Sequence, residues 1–215
     1  MTAPGTSWAL VVPVKRLAHA KSRMAAAAGP LRPALALAVA ADTVAAARAS
    51  VLVQAVVVVT DDPVAAPELT GLGALVVPDE PDAGLNPALV HGAMYAREAY
   101  PGCGVAALSA DLPALRPVEL TRALAAADAA ARSFVPDALG VGTTLYAARP
   151  GAPFSPEFGL DSRVRHRAQG AVELDLEGIA SLRQDVDTPD DLRAARALGL
   201  GVRTAEISGQ LAALG

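Results

Sequence analysis

The chain has 215 residues, 53% of them hydrophobic and only 3% aromatic, which is enough apolar side chain for one compact core built from Val, Leu and Ala. Its formal net charge of −4 has the wrong sign for a general nucleic-acid binder. Cys103 is the one cysteine, which excludes an intrachain disulfide and a multi-cysteine metal site.

In chain order, Met1–Ser7 carries no basic residue ahead of an apolar run, as a secretory leader would. No uninterrupted stretch reaches the roughly 20 apolar residues that span a bilayer. The expectation is a cytoplasmic protein with neither nucleic acid nor membrane as partner. Trp8–Val14 reads as a buried strand, followed by a loop holding Lys15, Lys21 and Arg23. Leu31–Ala49 has helical spacing. Ala55–Thr60 is an unbroken β-branched run stopped by Asp61-Asp62-Pro63, and its lack of alternation predicts a central parallel strand covered on both faces. Ala65–Leu69 reads as a short helix, Ala74–Val77 as a third strand and Asn86–Glu98 as a helix. Val105–Ser109 is a fourth strand ending at Ala110-Asp111, and Pro117–Ala130 another helix. This alternation predicts a parallel sheet with helices on both faces.

Beyond residue 132 the pieces are short strands, Ser133–Val135, Thr144–Ala148 and Ala171–Leu174, which predict an antiparallel extension. Pro189–Leu198 is a helix with Thr188 as its cap, Pro189 at its first position and Asp190 and Asp191 in its first turn. One domain over residues 1–215 is expected, with 1–7 and 201–215 as flexible or peripheral tails.

Ligands of open α/β sheets bind outside the carboxyl ends of the strands, so the loops starting at Lys15, Asp61, Pro78 and Ala110-Asp111 are the places for chemistry. Asp111 is placed to hold a metal in that crevice, or is an ordinary turn aspartate. In Asp185-Val186-Asp187 the two acids share one face of an extended segment. Magnesium would relieve their mutual repulsion; alternatively Asp187 helps cap the helix that follows. Lys15, Lys21 and Arg23 form a cationic counterpart in a segment with no glycine, so it is neither a Walker A loop nor G-x-G-x-x-G. The loops around Gly142-Thr143-Thr144 and Phe158–Ser162 supply glycine and hydroxyls, as phosphate sites and common turns both do. No Ser-His-Asp, Cys-His or zinc set occurs, and His19, His91 and His166 have no metal-ligand spacing. Transfer of a nucleotidyl group to an ionised oxygen needs charge neutralisation more than a base.

VVPVKRLAHAKSRMA, SADLPAL, GTTLYAA with FGLDSRVRH, and LRQDVDTPDDL follow one another over most of the chain. In that order the chain resembles the phosphoenolpyruvate or 2-phospholactate guanylyltransferases of coenzyme F-420 biosynthesis. The resemblance implies a Rossmann-like nucleotidyltransferase fold, a mostly parallel sheet with a mixed edge. It implies that Asp111, Asp185 and Asp187 hold Mg2+, as two ions, and that Thr143, Gly159 and Ser162 bind the phospho-acid. Lys15 and Lys21 match family lysines near the phosphates, with Asp111 completing the catalytic set, and Arg23 matches the adjacent basic position. Asn86 sits where related transferases contact the nucleotide. Val141 stands where the family often has a further threonine, so a hydroxyl contact at that position is lost. The implied partners are GTP and a small phosphorylated three-carbon acid, with a homodimer and hand-over to the next enzyme also in view. The competing readings are another acceptor (3-phosphoglycerate, a sugar phosphate or molybdopterin) and a non-catalytic nucleotide-binding protein on the same fold.

Overall fold

A computed structural model describes residues 5–214. Of the segments expected as tails, Met1–Pro4 and Gly215 lie outside that range. Seven strands form one sheet: β1 (Trp8–Pro13), β2 (Val53–Val59), β3 (Leu75–Val77), β4 (Gly104–Leu108), β5 (Arg132–Pro136), β6 (Thr143–Ala148) and β7 (Val172–Glu173), in the order β3-β2-β1-β4-β6-β5-β7. β1 pairs in parallel with β2 and β4, β2 with β3, and β5 with β7. β6 alone runs against its neighbours β4 and β5. This is the expected α/β sheet, mostly parallel with a small antiparallel extension.

The unbroken valines of β2 are explained by their two-sided burial. Val56 and Val58 join Trp8, Leu10 and Val12 beneath α2 (Arg32–Arg48) and α5 (Pro117–Ala127). Val57 and Val59 join Ala9 and Val11 beneath α4 (Leu85–Ala99). α4 lies close to the sheet because residue 92 is glycine: a Cβ there would stand 2.5 Å from Val11 and 2.7 Å from Val59. The remaining helices are α1 (Ala25–Ala28), α3 (Ala65–Gly71), α6 (Ser162–Ala168), α7 (Ala180–Arg183), α8 (Pro189–Leu198) and α9 (Val202–Leu214).

The near-continuous helical stretch Ser22–Arg48 is by length and composition apolar enough to cross a membrane. In the fold, its Ala36, Ala40 and Val44 pack against the sheet as a core helix.

One departure from expectation concerns a helix. Ser162, read as part of a polar loop, opens α6. Residues 201–214, expected as part of a tail, carry α9, which docks on α2. The Asp42 carboxylate of α2 accepts the N–H groups of Arg203 (3.2 Å) and Thr204 (2.7 Å), satisfying the first turn of α9. Gly201 makes this fit, since a Cβ there would collide with Asp42. Ile207 and Leu211 then pack onto the cluster of Met24, Leu35 and Val39.

Candidate functional site

The chain leaves β1 toward β2 on one side and takes up β4 on the other, so a crevice opens at the carboxyl ends of β1 and β4. Asp111 lies there, three residues beyond β4, and its main chain is held on both sides. The Ser109 N–H donates to Thr144 O at 2.8 Å. The Thr43 hydroxyl, projecting from α2 and fully buried, accepts the Leu112 N–H at 3.0 Å and lies 3.3 Å from Ala110 O. The Val186 N–H donates to Asp111 O at 3.0 Å.

That last bond docks the segment carrying Asp185 and Asp187. Val186 is fully buried in the cluster of Met24, Leu35 and Leu192, so its two flanking aspartates turn the other way, toward Asp111. Asp111, Asp185 and Asp187 each offer an oxygen within 4.8 Å of the others. Asp187 is not the cap of α8. Thr188 accepts from Asp191 N, and Asp191 answers with a carboxylate bond from Thr188 N at 2.7 Å, a reciprocal capping box. The Asp187 carboxylate is left to face the crevice, where its partners are Lys21 and Arg23.

Lys21 stands in the left-handed region (φ 53°) and sends its ammonium 2.9 Å from Asp111 Oδ2 and 3.2 Å from Asp187 Oδ1. Its side chain is only 9% exposed. Burial alone would lower its pKa, but the two aspartates outweigh that and raise it. Asp185 lies deepest. Burial first, then the charges of Asp111, Asp137 and Asp187, push its carboxyl up to about 7. The Lys21 ammonium therefore pairs with Asp111 and Asp187, while Asp185 carries the repulsion of its acidic neighbours. The donor set is all oxygen and carries surplus negative charge, which fits a hard divalent cation.

A cavity of about 400 Å³ opens over this cluster, with Lys15, Lys21, Arg23, Asp111 and Asp187 in its wall, Asp185 behind it, and Leu89 and Phe158 on its apolar side. Arg23 is 73% exposed at the rim, 3.8 Å from Asp187. A second cavity of about 440 Å³ shares Pro13, Val14, Lys15, His19 and Leu85 with the first, and reaches past the ends of β2 and β3.

The remaining expected site residues are placed differently. Thr143, Gly159 and Ser162 do come together, but none lines either cavity. Thr143 and Ser162 are buried, Ser162 Oγ donating to Thr143 Oγ1 at 3.1 Å, and Thr143 Oγ1 lies 2.9 Å from His166 Nδ1. His166 is itself fully buried, accepts the Glu157 N–H at 2.8 Å, and stacks on Tyr146. These hydroxyls are tied inside the turn that carries Gly159 (φ 114°), which stays exposed at the surface. Asn86, expected at the nucleotide, is likewise off both cavities. Its amide pairs twice with Phe158, donating to the carbonyl at 3.1 Å and accepting the N–H at 2.8 Å, so it braces the Phe158 turn against α4.

The sequence reading missed Thr43 and Asp137. A threonine inside an alanine-rich helix carries no local signal of the loop it grips. Asp137 accepts the N–H groups of Val141 and Gly142 and lies beside Asp185. Its signal was Gly142, where a Cβ would stand 2.5 Å from the Asp137 carboxylate.

Residues 8–207 match the family described as "Guanylyl transferase CofC like". The phosphoenolpyruvate guanylyltransferase of Thermomonospora curvata is 70% identical over 207 residues, covering 96% of this chain and 91% of that protein. The enzyme of the same name from Streptomyces avermitilis is 62% identical over 205 residues, covering 95% of each. Among solved structures, a nucleotidyl transferase from Methanothermobacter thermautotroptrophicus superposes with a TM-score of 0.58 at 21% identity, over 91% of this chain and 98% of that one. A Mycobacterium tuberculosis protein solved as a manganese complex gives a TM-score of 0.51 at 19% identity, over 88% and 97%. At these identities the likeness shows the fold.

Proposed function

The chain belongs to the guanylyl transferase CofC like family, and from that premise we propose that it joins GMP from GTP to phosphoenolpyruvate, or to the similarly shaped 2-phospho-L-lactate, in coenzyme F-420 biosynthesis. The observation that carries this reading is the convergence of Asp111, Asp185, Asp187 and Lys21 beneath Lys15 and Arg23 at the ends of β1 and β4. The acceptor's phosphate oxygen is already ionised, so no general base is required. It bonds to the α-phosphorus of GTP, the bond from that phosphorus to the β-bridging oxygen breaks, and pyrophosphate leaves with the electron pair.

Lys15 and Arg23 bind and orient the triphosphate as exposed cations at the mouth of the cavity. Lys21 holds Asp111 and Asp187 at a fixed spacing. The three aspartates would hold Mg2+, as one or two ions, supplying positive charge to the α-phosphate and the departing pyrophosphate when bound. Phe158, in the cavity wall, marks the acceptor side, with Gly159 next to it in the same turn and Thr143 and Ser162 stiffening that turn from within.

The test is pyrophosphate release by the purified protein with GTP and Mg2+, offering phosphoenolpyruvate, 2-phospho-L-lactate and 3-phosphoglycerate separately. Release that depends on phosphoenolpyruvate or 2-phospho-L-lactate is expected. Release with 3-phosphoglycerate alone, or with no acceptor at all, would overturn the reading.

A further inference from the structure

The second cavity has a wall unlike the first. Besides Lys15, shared with the first, and Arg16, it is lined by the three carboxylates Asp61, Asp79 and Asp82, with Val14, Leu85 and Ala88 as apolar flanks. Such a wall repels a triphosphate and attracts hydrogen-bond donors. It is not a cation cage: among the described residues, the one trio of acidic groups whose oxygens converge within 4.8 Å is Asp111, Asp185 and Asp187. A nucleotide whose phosphates lie beside Lys15 and Asp111 would therefore extend its base into this second cavity. The volume of about 440 Å³ accommodates a purine and its ribose.

We propose that the Asp79 carboxylate reads the guanine base, accepting its N1–H and 2-amino donors together. This rests on GTP being the nucleotide donor, as argued above. Guanine presents those two donors side by side, which suits the two oxygens of one carboxylate. Adenine offers an acceptor at N1 and no 2-amino group, so an aspartate meets it with a lone pair against a lone pair.

The three acids of this cavity are not equivalent. Asp61 is committed, since its Oδ1 accepts the Asp79 N–H at 3.1 Å and so fixes the Asp79 main chain just beyond β3. Asp82 sits on the exposed loop before α4. Asp79 is half-buried, and its Oδ1 is shielded from water with no hydrogen-bond partner. Burial, followed by the charges of Asp82 and Asp61, holds its pKa above the usual carboxylate range, with His91 the opposing influence. Pairing with the base requires the Asp79 carboxylate to turn toward the cavity, and the donors it meets there relieve the cost of a buried, unpaired acceptor.

The experiment compares wild type with Asp79→Asn, using GTP, ITP (which lacks the 2-amino group) and XTP (which has an oxygen in its place). Both kcat/KM for pyrophosphate release and nucleotide binding by calorimetry without acceptor are measured. Wild type should prefer GTP over ITP by about 10- to 100-fold. Asp79→Asn should lose GTP by a similar factor and gain XTP, because an asparagine amide accepts from N1–H and donates to the 2-oxygen. Wild type that treats GTP and ITP alike overturns the proposal whatever the variant does. So does a folded Asp79→Asn that keeps its GTP preference within about threefold. Calorimetry separates this failure from failure of the guanylyl-transfer reading. Base preference in binding that switches with Asp79→Asn sustains the proposal even if no acceptor releases pyrophosphate.

Discussion

The main-chain N–H of Val186 donates to the main-chain oxygen of Asp111 at 3.0 Å. This bond joins the loop after a central strand to a segment near the end of the chain, and it brings Asp185 and Asp187 alongside Asp111. Thr43 holds the same loop from below and Lys21 bridges the carboxylates from the side. Asp111 is thus restrained through both its backbone and its side chain, as a preorganised charged site requires.

Asp187→Asn should lower turnover by about 10²- to 10³-fold while leaving the melting temperature nearly unchanged. The Asp187 side chain is 49% exposed, and asparagine can still accept from Lys21. Steady-state kinetics alongside a thermal melt make the comparison, and substantial retained activity would remove Asp187 from the reacting site.

Thr43→Val keeps the shape of the side chain and deletes its hydroxyl, leaving the Leu112 N–H buried without a partner. A loss of about 1–3 kcal/mol in stability follows, measurable from urea unfolding. Because the loop carrying Asp111 loosens, kcat should fall more than the KM for GTP rises, and Thr43→Ser should restore both. A variant that is destabilised but catalytically normal would confine Thr43 to a packing role.

Gly92→Ala would drive a methyl group into Val11 and Val59 beneath α4. Overpacking of this kind costs about 1–3 kcal/mol, so the urea midpoint should drop with little change in slope. An unchanged midpoint would mean that α4 sits farther from the sheet than described.

His166 is buried, and burial followed by the nearby Arg165 charge lowers its pKa to about 4. The unfolded imidazole titrates near 6.5, so between these values the unfolded chain binds the extra proton. The neutral ring's contribution is fully present above about pH 6.5 and is lost as pH falls through about 4, amounting to roughly 3 kcal/mol. Unfolding free energies at pH 7, 6, 5 and 4 should show this slope in wild type and a shallower one in His166→Asn. Parallel curves would mean that the ring titrates in the fold as it does in the unfolded chain.

The parallel half of the sheet was legible in the sequence because its strands are buried on both faces: a run such as Val56–Val59 has few other uses. Asp111 stood out because an acid just beyond a central strand lies near the crevice, and Asp185 and Asp187 because acids two apart on an extended segment share a face; their convergence on one another is a product of the fold. What was not legible is long-range. The pairing of the Asn86 amide with the Phe158 turn, far along the chain, has no local signal. The contacts that Thr143 and Ser162 make with each other and, for Thr143, with His166 also join distant parts of the sequence. α9 follows Gly199-Leu200-Gly201, a natural stop, and its start is secured by Asp42 from another helix rather than by a local cap.

The most direct measurement incubates the protein with GTP, phosphoenolpyruvate and Mg2+ and identifies the products by mass spectrometry and phosphorus NMR, with Asp111→Asn in parallel. The wild type should give a guanosine diphosphate joined to the enolpyruvyl unit and one equivalent of pyrophosphate, and Asp111→Asn neither. Free GMP with no conjugate, or the same conjugate from Asp111→Asn at an undiminished rate, would contradict guanylyl transfer at this site.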